Sequence, residues 1–425
     1  MNKVEKILIL CLLSLMACHR TEHKKTVAEA SPAERLDSQL KEVFSKNELI
    51  GMSVVLIKNG NSVFEGNYGQ ANTELNLPVS DKTIFRIASI SKSFTAMAVM
   101  QLVEQGKLDL DVDISPYLGW KLQHPKHPDK IITARHLLSH TSGIRDGEGF
   151  SNFSQKMFTE NLQLSELFQS TGKYYTDDIF SSEAPGEYFS YTNCTWGILA
   201  TVVERISGTR FDEYCREYMF KPMGLEADFN PAGLRSYDHL AALYRFENNQ
   251  WTSQVDDYKG QVPPERVPSN YTMGSNGLLF GPQGSLRCTA GDLVKTIQMF
   301  FNGGIVSGNQ ILKKESVDLM LSDQWTYNGS NGDTWENFFL SYGLGIHRTL
   351  DQTRADVIFP GIRMTGHPGI AYGLLSDMYF DKSSETGVVF ITNGSKKSFQ
   401  YGKNTTFYQV EEDVFEAIYP LLNSF

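Results

Sequence analysis

The sequence predicts an α/β fold of the α+β type: one sheet built from both ends of the chain and flanked by helices, with a largely helical lobe inserted. Three observations carry this. Alternating apolar runs that mark strands occur near both ends, at 51–70 and again at 371–394. Helical apolar spacing fills stretches between them, as at 194–208 and 290–304. Of the 425 residues 41% are apolar and 12% aromatic, so the chain has the mass to bury a large core and lacks the profile of a disordered one.

In chain order, Lys3 and Lys6 precede a ten-residue apolar run, 7–16, followed at once by Ala17-Cys18. Ten residues rise about 15 Å as a helix, about half of a bilayer core, so the run is a signal-peptide core and not a span. Leu15 and Ala17 ahead of Cys18 resemble the lipobox of bacterial lipoproteins. That resemblance implies removal of residues 1–17 and lipidation of Cys18. It also implies a place on a membrane of the bacterial cell envelope, facing the periplasm or the surface. Plain secretion with cleavage nearby is the alternative. Residues 18–35 are polar, charged and broken by Pro32, the composition of a tether. Cys194, Cys215 and Cys288 are too few for a disulfide framework, although they leave room for one bridge, and read as small core residues.

The remaining chain, 36–425, reads as one catalytic unit, with a sheet lobe at about 36–115 and 341–425 and a helical lobe at about 116–340. Leu36, Leu40, Val43 and Phe44 recur at helical spacing, giving a helix that ends near Asn47. The hairpin at 51–70 turns at Asn59-Gly60-Asn61. Residues 84–87 are extended and feed a mostly apolar helix from Ser89 to Gly106. After the helices at 194–208 and 290–304, strands return at 371–381 and 386–394, and a helix around 410–422 follows. The net charge of −10, with no long basic run, excludes a nucleic-acid partner, which needs a concentrated positive surface.

Three places read S-x-x-K: Ser38 to Lys41, Ser89 to Lys92 and Ser170 to Lys173. About two or three chance occurrences are expected in a chain this long, so context must separate them. Ser38 lies on the polar face of the first helix and Ser170 in a turn. Ser89 stands where a strand feeds a buried helix, with Lys92 one turn on and on the same face. A buried amine loses its proton more readily and can take that of the hydroxyl, making Ser89 a nucleophile at a helix N-terminus. On this pair alone, Ser89 as a helix cap and Lys92 as a solvated residue remain the competing reading. Tyr191-Thr192-Asn193 is the only Y-x-N among 19 tyrosines. A phenol beside an ammonium can ionise and relay protons, and an Asn amide can hold a substrate carbonyl. Thr365-Gly366-His367-Pro368-Gly369 stands immediately before a strand.

The ordered set Ser89-x-x-Lys92, Tyr191-x-Asn193 and His367-x-Gly369, supported by 134–144 and 284–293, resembles the penicillin-recognising serine hydrolases over about residues 36–420. These include class C β-lactamases, D-alanyl-D-alanine carboxypeptidases and related esterases. The resemblance implies an antiparallel sheet of the β-lactamase/transpeptidase kind. It also implies a small-molecule or peptide substrate and an acyl-enzyme on Ser89, with no cofactor and no metal. Lys92 would assist deprotonation of Ser89, and Tyr191 would pass the proton to the leaving group; either is the base. Asn193 would bind the substrate amide, and His367 would supply a hydrogen bond or partial positive charge. The N–H groups of Ser89 and Ile370 would form the oxyanion hole, Ile370 following Gly369. Peptidoglycan-type D-amino-acid peptides are the favoured substrate, with a β-lactamase or a non-turnover penicillin-binding sensor as alternatives. Pro368 departs from the Thr or Ser of many relatives and offers neither hydroxyl nor N–H, which disfavours a carboxylate-bearing β-lactam. His367 is also a weaker anion anchor than the Lys of many relatives.

Other patterns carry less. His136 and His140 have zinc-like spacing without the Glu of HExxH, so core or capping roles fit better. Asp109, Asp111 and Asp113 lack the Gly and distal Glu of a calcium loop. No G-x-S-x-G occurs, which argues against an α/β-hydrolase.

Overall fold

Ser31 and Glu34 start the first helix reciprocally. The Ser31 hydroxyl accepts the Glu34 N–H at 3.2 Å, and the Glu34 carboxylate accepts the Ser31 N–H at 2.8 Å. Pro32 occupies the first helical position, where its missing N–H leaves nothing unsatisfied. Helix α1 therefore spans Pro32–Lys46. This corrects the tether read at 18–35: Pro32 starts a helix here and residues 32–35 belong to it. The computed structural model describes residues 30–397 and 400–425, so Cys18 and the run 1–17 lie outside the described residues.

Strand β1 (Gly51–Lys58) turns through left-handed Asn59 (φ 49°) and Gly60 (φ 73°) into β2 (Asn61–Asn72), followed by β3 (Leu77–Pro78). The chain then supplies α2 (Ser91–Glu104), α3 (Cys194–Ser207) and α4 (Ala290–Phe301). Strands resume at β4 (Trp325–Thr326), β5 (Ser341–Tyr342), β6 (His347–Arg348), β7 (Thr365–Ala371), β8 (Leu374–Asp381) and β9 (Thr386–Thr392), with α5 at Gln409–Ile418. One nine-stranded sheet in the order β4-β5-β6-β7-β8-β9-β1-β2-β3 joins them, every pair antiparallel. Its middle is where the two ends of the chain meet, with Met52 opposite Thr392 and Ile57 opposite Gly387.

Alternation along these strands serves two cores. Met52, Val54 and Leu56 of β1, with Val388 and Phe390 of β9, face α1 and α5. Val55, Ile57, Val389 and Ile391 face the other way, into a core shared with α2, α3 and α4. Each such side chain, fully buried, contributes about 1.5–3 kcal/mol.

Two lobe boundaries differ from the reading. β4 joins the sheet at Trp325, ahead of 341, and α4 lies on the sheet against β1, β8 and β9. The apolar stripe of α4 (Leu293, Ile297, Phe300) finds the sheet as its partner, with the Phe300 and Phe380 rings stacked at 5.2 Å. Conversely α2 packs on α3, inside the helical layer. The 365–371 stretch, read as preceding a strand, is itself β7, set off from β8 by left-handed Tyr372 (φ 56°) and Gly373 (φ 96°). Pro368 is tolerated mid-strand because β6 covers only Thr365 and Gly366, leaving β7 an open edge beyond them.

Candidate active site

Ser89 sits in a single 3₁₀ turn, Ala88–Ile90, and the α-helix begins two residues after it, at Ser91. The turn is tied down from both sides. The Ser91 hydroxyl donates to the Ala88 carbonyl at 2.6 Å and accepts the Leu286 N–H at 3.0 Å. Ala88 is held left-handed at φ 44°, a conformation an Ala adopts only when its surroundings enforce it. Gly369 on β7 is part of that enforcement: a Cβ there would collide with the Ile87 carbonyl and the Ser376 hydroxyl. Glycine thus lets β7 lie directly on the nucleophile turn, with Ile370 the next residue along.

Lys92, fully buried, donates to Ser89 Oγ at 3.0 Å, Asn193 Oδ1 at 2.9 Å and the Gln283 carbonyl at 2.9 Å. All three partners are neutral. Burial therefore pushes the amine down to about 7, opposed only by the more distant charge of Asp146. The other S-x-x-K lysines end differently: exposed Lys41 pairs with Asp37 at 2.6 Å and exposed Lys173 with Glu160 at 2.8 Å.

The Tyr191 phenol interacts with the Ser89 side chain, and its ring lies 4.8 Å from the Lys92 amine. The ring is stacked on Phe339 at 4.9 Å and met by Trp335 at 5.0 Å and His140 at 4.5 Å. Burial raises the phenol well above its ordinary range, so at neutral pH it stays protonated, contrary to the phenolate expected beside an ammonium. Asn193 accepts from Lys92 and donates to Asp146 Oδ2 at 2.8 Å, which fixes its amide.

Asp146 and His140 build this corner, and the sequence reading gave neither a place in the site. The Asp146 carboxylate accepts the N–H groups of Asn193 (2.9 Å) and Cys194 (2.8 Å), capping α3 from 47 residues upstream. His140, left-handed at φ 58°, accepts the Thr192 N–H on Nδ1 at 3.1 Å and the Ser190 N–H on its carbonyl at 2.8 Å. It thereby frames Tyr191 from both sides. No local spacing signals either contact.

His367 lies 6.1 Å ring to ring from Tyr191 but carries no charge. Its Nδ1–H donates to the Pro368 carbonyl at 2.7 Å, leaving Nε2 to accept the Tyr342 hydroxyl at 2.8 Å. Burial and the nearby Lys92 hold it well below the usual imidazole range. Burial thus corrects the partial positive charge expected of it, and both ring nitrogens are already bonded within the protein, so neither is free for the hydrogen bond that was the alternative. The fold thus brings Ser89, Lys92, Tyr191 and Asn193 together and lays Gly369 against the turn, with neutral His367 buried behind Tyr191.

A family model described as Beta-lactamase matches residues 33–409. The chain belongs to the Beta-lactamase family. This Beta-lactamase family chain is 24% identical over 259 residues to penicillin-binding protein 4* of Bacillus subtilis, covering 60% of itself and 53% of that protein. It thus spans about half of that relative's length. The octameric penicillin-binding protein homologue from Pyrococcus abyssi has the same fold, with a TM-score of 0.65 and 24% identity over 92% of this chain and 77% of that one. So does the D-amino acid amidase from Ochrobactrum anthropi SV3, with a TM-score of 0.63 and 18% identity over 92% and 98%. The Beta-lactamase family fold is that of serine hydrolases, which gives the Ser89 corner its chemical context.

Proposed function

We propose that the protein is an exported, lipid-anchored serine hydrolase that forms an acyl-enzyme on Ser89. Its substrates are small amides or esters, with peptidoglycan-type D-amino-acid peptides favoured. The observation that carries this is the Lys92 amine, 3.0 Å from Ser89 Oγ, wholly buried and without a carboxylate at ion-pair distance among the described residues. In its neutral form it takes the Ser89 proton as Oγ attacks the carbonyl carbon. The N–H groups of Ser89 and Ile370 stabilise the oxyanion. The Tyr191 phenol gives its proton to the leaving group and is reprotonated from Lys92. Water then attacks the acyl-enzyme by the reverse path and frees Ser89.

The β-lactamase reading is the weaker one here. Neutral His367 and Pro368, at the middle of β7, offer no anchor for the carboxylate of a β-lactam. A serine-directed fluorophosphonate should label the wild type and leave Ser89→Ala unlabelled; equal labelling of both removes Ser89 as the nucleophile. Release of the label distinguishes a hydrolase from a sensor. D-Ala-D-Ala peptides, short-chain esters and cephalosporins then rank the substrates. The anchor is tested by detergent partitioning. Wild type should enter the detergent phase and Cys18→Ser the aqueous phase, and a variant that still enters detergent dismisses Cys18.

A further inference from the structure

Beside the nucleophile turn three guanidiniums cluster near one carboxylate, that of Asp256, and two of them pair with it. Arg86, three residues before Ser89, lies on a two-residue strand that places it directly opposite Arg287. Like charges face each other there, an arrangement that is unfavourable on its own. Arg287 is buried and forks onto Asp256, at 3.1 Å from Nε and 2.8 Å from Nη2. Arg266 reaches the same carboxylate at 4.0 Å and donates to the Tyr258 hydroxyl. Arg86 has no carboxylate within ion-pair distance among the described residues. Its Nε donates to the Gly284 carbonyl at 2.8 Å and Nη2 to Ser285 Oγ at 3.3 Å, and its plane lies 5.2 Å from the Tyr372 ring. Asp228, which also acts on Arg287, is taken by Arg216 at 2.6 Å. Guanidiniums do not discharge in proteins, so the cluster holds positive charge that its own acids do not balance.

The place of Arg86 gives this surplus a use. Gly284, which it holds, lies against Ala88 of the nucleophile turn, a Cβ there standing 3.7 Å from the Ala88 carbonyl carbon. Tyr372, 38% exposed, follows the last residue of β7, beyond His367 and Pro368 at the middle of that strand. Tyr191, which serves the leaving group in the acyl-enzyme mechanism, lies toward His367. With the leaving group on the Tyr191 side, the acyl-enzyme reading assigns the Arg86 side of β7 to the acyl part of the substrate.

We infer that Arg86 and Tyr372 form a subsite for a carboxylate on the acyl portion of the substrate, so that the preferred acyl donors are acidic. This rests on the acyl-enzyme reading for its orientation. The Nη1 edge, which makes no hydrogen bond to a described residue, supplies donors to the carboxylate, and the phenol ring of Tyr372 backs the guanidinium. Burial and the facing Arg287 already press the ionisation of Arg86 down to about 10, a strain that a bound anion relieves.

The test is a matched ligand pair, succinic acid monoanilide and its uncharged terminal amide, titrated calorimetrically into full-length Ser89→Ala protein at low ionic strength. The acid should bind at least about tenfold more tightly, and the gap should narrow as salt is added. In the Ser89→Ala/Arg86→Gln double variant, where the amide can still donate to Gly284, the gap should close at an unchanged thermal midpoint. Equal binding of the two ligands, no binding of either, or a gap that survives Arg86→Gln overturns the subsite. None of these outcomes depends on acylation, which fluorophosphonate labelling of the wild type decides separately.

Discussion

Replacing Lys92 by Met is expected to slow acylation of Ser89 by about 10³-fold or more, because it removes the buried amine that hydrogen-bonds the hydroxyl. Met preserves the length and apolar stem of the side chain, so the fold should persist. The loss leaves Asn193 Oδ1 and the Gln283 carbonyl without a donor, at a cost of about 1–3 kcal/mol each in stability. Unfolding midpoints of both proteins separate that loss from the catalytic one. The same amine sets the pH profile. Burial favours its neutral form and lowers it to about 7, and the neutral form is the base. Acylation by fluorophosphonate should therefore be level above about pH 7 and fall about tenfold per unit below it. A wild-type profile that is flat through pH 7, or a Lys92→Met protein that labels at the wild-type rate, would discard Lys92 as the base.

Tyr191→Phe should lower turnover by about 10²–10⁴-fold while substrate binding stays within a few-fold of wild type. Only the hydroxyl is removed. The ring keeps its stack on Phe339 and its contact with His140, so the wall of the site is preserved. Because the phenol of the resting enzyme is protonated, its part is to hand on a proton, and its loss should weigh most on poor leaving groups. Comparing an activated ester with an amide of the same acyl group checks this, since equal losses on both would reduce Tyr191 to a structural residue.

Much of the fold and part of the site were legible in the sequence, and the divide is physical. The hairpin at Asn59-Gly60 and the helices at Cys194 and Ala290 announce themselves because turn chemistry, caps and apolar period are local signals. Ser89 and Lys92 were legible because both lie within one turn of chain, and Tyr191 with Asn193 for the same reason. Asp146 was not, because the backbone it caps lies at 193–194. The charge of His367 was misread because its burial and the Lys92 amine that disfavours its protonation come from parts of the chain distant in sequence. Pro32 was misread as a break because a proline ends a helix or begins one according to its neighbours, here Ser31 and Glu34. Ala88 gave no sign at all, since its left-handed backbone is imposed by the β7 strand packed on it.

The seating of β1 between β2 and β9 also sets the order in which a newly made chain can be completed. The β1–β2 hairpin is ready early in synthesis, but one edge of β1 waits for Thr386–Thr392 to leave the ribosome. Until then a long apolar strand has a bare flank, the kind of surface that recruits other chains. Closure joins residues from opposite ends of the polypeptide, so it is a slow, late event. By the same logic a premature stop upstream of Thr392 removes the centre of the sheet and not its margin.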